Sequence, residues 1–94
     1  MKHIKQQIKE NRERILDEIH NAFDCGKFQY VIITRDFSDL FPMISIHSKQ
    51  TIGFSFEELI AAGRSWKDQA EEWCKENGLK MKYDASRDCW IIKW

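Results

Sequence analysis

Proline occurs once and glycine four times in this chain of 94 residues, and fifteen basic residues are matched by fifteen acidic ones. So little Pro and Gly beside 43 % hydrophobic residues excludes a low-complexity or disordered chain. No run of apolar residues exceeds four, as at Tyr30–Ile33 and Leu59–Ala62, against the roughly 20 that a membrane-spanning helix needs. The first residues, Met-Lys-His-Ile-Lys, alternate charged and apolar types and lack the apolar stretch of a signal peptide. The expectation is an unanchored, cytoplasmic protein. Zero net charge removes the bulk basic field by which many proteins hold nucleic acid. Its distribution is uneven but mild: +1 over residues 1–23, 0 over 24–53, −3 over 54–78 and +2 over 79–94.

Cysteine is scarce and badly placed for cross-linking or metal. Cys25, Cys74 and Cys89 are odd in number, and their gaps of 49 and 15 residues offer none of the close pairs that pre-orient zinc ligands. Free thiols are expected, with Cys74 in the core and no metal or cofactor. Phosphate-cradling glycine loops are absent, since neither G-x-G-x-x-G nor G-x-x-x-x-G-K-[ST] occurs. No nucleophile signature surrounds any cysteine; His20 and His47 read as solvated or edge residues. The chain is not expected to be an enzyme.

What is present is a clear periodic pattern. Ile4, Ile8, Ile15, Ile19 and Ala22, widened by Leu16 and Phe23, predict an amphipathic helix over residues 3–23 capped by Gly26. Phe28 to Arg35 is β-branched and aromatic and reads as a strand buried on both faces. Asp36 to Pro42 reads as a loop, Met43 to His47 as a second strand, and Ser48 to Thr51 as a turn. Ser55 and Glu58 have capping-box spacing, so a helix starts at Phe56. Gly63 weakens that helix and Ser65 with Asp68 can restart it, giving one bent helix or two short ones. Trp66, Ala70, Trp73 and Cys74 share a face, and Asn77-Gly78 closes the element. Leu79–Asp84 and Cys89–Trp94 alternate strictly around a four-residue turn and predict a hairpin with Trp90 and Ile92 facing the helices. The expectation is one α+β domain over 1–94, in the order α-β-β-α-β-β, a two-layer sandwich with helices on one face of a mostly antiparallel sheet.

Two surfaces could carry a binding function. Phe37, Leu40 and Phe41 place three large apolar residues in an expected loop, which suits partner-binding anchors if exposed and a core lid if folded down. Lys2, Lys5, Lys9 and Arg12, spaced 3, 4 and 3 apart, form a basic strip on the first helix near its N-terminus, where cations oppose the helix dipole. That strip points to phosphate contacts; a solvated helix face is its plain alternative. The leading expectation is a non-enzymatic protein-binding accessory or inhibitor module, able to self-associate, that occludes a surface of a larger protein partner. Phage and mobile-element regulators share this size and style. The alternative is a small nucleic-acid-binding regulator.

Overall fold

A computed structural model describes residues 4–45 and 53–94. Its elements are α1 (Ile4–Asp24), β1 (Gln29–Ile33), α2 (Thr34–Asp39), α3 (Phe56–Ala62), α4 (Trp66–Glu76), β2 (Lys80–Asp84) and β3 (Cys89–Lys93). This is a mixed α+β chain with a three-stranded antiparallel sheet in the order β1-β3-β2.

Local chemistry explains most of the boundaries. Gly26 at φ +80 ends α1: its N–H donates to Phe23 O and that of Lys27 to Ala22 O, the paired bonds of a Schellman cap. Gly78 at φ +68 does the same for α4, with Leu79 N–H donating to Cys74 O at 2.7 Å and Gly78 N–H to Lys75 O. Ser55 and Glu58 form the reciprocal capping box, and Ser65 caps α4 through Asp68 N–H. Between them Gly63 ends α3, so the segment is two short helices rather than one bent one.

The hairpin is in register from Lys80↔Lys93 to Asp84↔Cys89, and β1 adds antiparallel on the other side, from Gln29↔Lys93 to Ile33↔Cys89. The last strand in sequence is thus the central one. Trp90 and Ile92 are buried with Ile32 of β1, and they meet Ile15 and Ile19 of α1, Phe37 of α2 and Ala70, Trp73 and Cys74 of α4 in one apolar core. Aromatic rings dominate it. Phe37 contacts Phe41, Trp66 and Trp90 at centroid distances of 5.4 to 5.8 Å. Among the described residues the buried Trp90 indole N–H has no hydrogen-bond acceptor, an unmade bond that costs about 1 to 3 kcal/mol.

Three expectations need correction. Residues 34–39 form a helix, α2, where a loop was expected from Asp36 on. Asp36, Ser38 and Asp39 are turn formers, but Phe37, Leu40 and Phe41 fall at i, i+3 and i+4, and burying that stripe decides the conformation. Met43–Ser45 belong to no strand: Ile44 is buried and its N–H reaches Ala62 O at 2.8 Å, a tether to α3. The rest of the expected second strand, residues 46–47, and the turn 48–51 lie outside the described residues. Finally, β1 is not buried on both faces. Among the described strands it lies at the edge of the sheet, with Val31 44 % and Ile33 48 % exposed.

Candidate functional site

The three residues expected to anchor a partner lie inside the molecule. Phe37 and Phe41 are fully buried and Leu40 nearly so, which is the core-lid placement, and a helix turn rather than a loop carries them there. The apolar area of Phe37, Leu40 and Phe41 is thus already removed from water in the free chain, where surface anchors would have kept it exposed.

Two of the three described members of the basic strip, Lys5 and Arg12, are engaged within the fold. Lys2 lies outside the described residues. Lys5 donates to Gly53 O at 2.8 Å and pairs with the Glu58 carboxylate at 2.8 Å, joining α1 to the start of α3. That bond and the Ser55 N–H hold Glu58 below the usual carboxylate range. Arg12 donates from Nε to Leu40 O at 2.8 Å, from Nη2 to Gln69 Oε1, and lies 4.6 Å above the Phe41 ring. Its pKa is lowered by burial, an effect that Glu76 opposes. Gln69 in turn donates to the carbonyls of Pro42, Ala62 and Arg64. Arg12 and Gln69 thus tie α1, the end of α2 and the α3–α4 junction together. Only Lys9, among the described members of the strip, is exposed with no such bond.

Of the thiols and histidines, Cys25, Cys74, Cys89 and His20 fall among the described residues. Cys74 and Cys89 are buried, Cys25 is exposed and all three are free. Burial pushes the Cys74 thiol up to about 11. His20 is exposed on α1, and His47 lies outside the described residues. Among the described residues no group of three or more His, Cys, Asp or Glu could hold a metal ion, and no helix is long and apolar enough to cross a membrane.

What remains is the sheet. Alternation turns Tyr30, Ile32, Met81, Tyr83, Trp90 and Ile92 one way and leaves a second face of Gln29, Val31 and Ile33 on β1, Lys93, Ile91 and Cys89 on β3, and Lys80, Lys82 and Asp84 on β2. The lysines gather at one corner, where Lys80 and Lys93 are directly opposed. Like charges so placed destabilise a sheet. The apolar residues gather on the β1 side. At the other end Asp88, at φ +47, fastens the three strands: it accepts from Tyr83 Oη at 2.8 Å and from Thr34 Oγ1 at 2.9 Å, and its carbonyl accepts from Thr34 N–H. Those hydroxyls, Tyr83 first, hold the Asp88 carboxyl below its ordinary range.

The two sheet edges differ in kind. β2 reads Lys-Met-Lys-Tyr-Asp and places charges along its outer face, whereas β1 reads Gln-Tyr-Val-Ile-Ile, with no charge, proline or bulge. Charged or proline-bearing edges are how soluble proteins prevent strand addition. The free side of β1 opens on a groove of about 570 Å³ bordered by Arg14 and Glu18 of α1 and Asp36 and Asp39 of α2. Tyr30 donates from its hydroxyl to Glu18 in that groove, and burial with this bond pushes the phenol up to about 12. Sequence reasoning missed this edge because strand order, which makes β1 peripheral, is not written in local pattern. The absence of charge from residues 28–33 was the available signal. Comparison with family models, with curated proteins and with solved structures finds no match to this chain.

Proposed function

We propose that this chain is a non-enzymatic protein-binding module that presents β1 to a partner chain and acts by occluding the partner's surface. The observation that carries the reading is the β1 edge, which no other described strand pairs and which bears no charge, with Val31 and Ile33 half-exposed beside it, while the opposite edge of the sheet is charged. An extended segment adding to such an edge gains main-chain hydrogen bonds, and pockets beside the edge select its side chains. The reading takes the fold as a two-layer sandwich, with the helices over Trp90 and Ile92 and the Val31–Ile91 face left open. Lys5 and Arg12 already have internal partners, which weakens the alternative of phosphate binding along α1.

The test is affinity capture from the native host, with and without nuclease, using the wild-type chain and Val31→Lys. A partner retained after nuclease and lost with Val31→Lys is the expected outcome. Capture that nuclease abolishes returns the nucleic-acid reading to first place.

A further inference from the structure

We infer that the free edge of β1 pairs with β1 of a second copy of this chain, antiparallel across a two-fold axis. The inference rests on the protein-binding reading and names one occupant for its edge.

The ladder geometry supplies the bonds. Thr34 N–H donates to Asp88 O, continuing the β1–β3 register one step beyond Ile33↔Cys89. Main-chain groups alternate in direction along an antiparallel strand, so Tyr30 and Ile32 face β3, and Gln29, Val31 and Ile33 turn theirs to the free edge. Two β1 strands centred on Val31 then match Val31 with Val31, Gln29 with Ile33 and Tyr30 with Ile32. Each outward-turned residue meets another outward-turned residue, giving about six main-chain bonds. Register is self-complementary, as an isologous two-fold contact requires.

Charge favours this contact over the obvious alternative. Arg14 borders the edge with Glu18, Asp36 and Asp39, so both signs are available to face each other across the axis. Stacking two copies through their open sheet faces would instead bring Lys80, Lys82 and Lys93 into the contact, where among the described strand residues the one acidic group on that face, Asp84, already accepts from Arg87 and Ser86. Edge pairing keeps the lysines apart. In the resulting six-stranded sheet the two β2 strands are five steps of about 4.8 Å apart, about 24 Å in all. That is well beyond the screening length of about 8 Å at physiological salt. Pairing also joins the two apolar halves into one strip running Ile91, Val31, Val31, Ile91.

Sedimentation velocity of the full chain across a wide concentration range tests the inference, with hydrogen exchange read at the Val31 and Ile33 amides. The expected result is a species of twice the 11.3 kDa chain mass. Both amides should become slower to exchange as concentration rises, and Val31→Lys should weaken dimerisation at least tenfold while leaving the melting temperature of the monomer in place. A wild-type chain that stays monomeric at every concentration overturns the inference. So does a dimer that Val31→Lys leaves intact, or one whose Val31 and Ile33 amides exchange freely. If Val31→Lys does not fold, the wild-type exchange pattern decides. A monomer that still captures a partner in a Val31-dependent, nuclease-resistant way removes the second copy and leaves the protein-binding reading standing.

Discussion

Truncating Phe41 measures whether the 37–41 segment belongs to the core or to a binding surface. The ring is fully buried and makes edge contacts with Phe37 at 5.4 Å and Trp73 at 5.6 Å, with the Arg12 guanidinium over its other side. Phe→Ala at buried sites costs about 3 to 5 kcal/mol through lost transfer energy and the cavity left behind. Collapse into that cavity is resisted on one side by Arg12, which is held by its bonds to Leu40 and Gln69. The upper half of the range, about 4 kcal/mol, is therefore expected. Domains of this size have about 5 to 14 kcal/mol in total. At about 4 to 8 °C per kcal/mol, Phe41→Ala should lower the melting temperature by roughly 16 to 32 °C. Thermal and urea melts followed by circular dichroism provide the readout, with Phe28→Ala as the control. Phe28 is 86 % exposed, so its truncation should stay within about 0.5 kcal/mol of wild type. A Phe41→Ala loss below about 1 kcal/mol would refute the core placement and return Phe37, Leu40 and Phe41 to the surface as binding anchors.

Gly78→Ala should destabilise by about 1 to 2 kcal/mol in urea melts, because φ +68 strains any L side chain, while no atom lies within 4 Å of the new Cβ to add a clash. Native labelling with a thiol reagent, counted by mass spectrometry, should modify Cys25 alone; rapid labelling of Cys74 would contradict its burial and raised pKa. Tyr30 binds its proton more tightly folded than unfolded, where its pKa is about 10. Its stabilising contribution is thus complete below about pH 10 and is lost as pH rises towards about 12. Tyr30→Phe should flatten that alkaline fall in urea midpoint, and an unchanged slope would show that Tyr30 does not cause it.

Signals confined to a few neighbouring residues were legible in the chain itself. Both Schellman glycines, the Ser55–Glu58 box and the restart at Ser65 need only local geometry, and each forms where the residue pattern puts it. The hairpin was equally legible, since a four-residue turn forces its two strands into contact. The 36–42 segment was not, because its turn formers and its i, i+3, i+4 stripe support different conformations. Only an existing apolar cleft between Trp66, Trp73 and Trp90 resolves that conflict in favour of a helix. For the basic strip, spacing correctly placed Lys5, Lys9 and Arg12 on one helix, but not the carbonyls and carboxylate that Lys5 and Arg12 would meet.

The sequence by itself determined the local elements: where α1, α3 and α4 end or begin, and which residues of the hairpin face inward. Periodicity and capping act over one or two turns, so no distant partner is needed to read them. Tertiary structure decided the rest. It set β3 between β1 and β2, turning an apolar run that looked buried on both faces into an exposed edge. It drew Phe37, Leu40 and Phe41 inward and engaged Lys5 and Arg12 in internal bonds. The physical reason is common to these cases. Exposure and pairing depend on contacts between residues dozens of positions apart, and the apolar area or hydrogen bonds available at those contacts outweigh local preference by several kcal/mol.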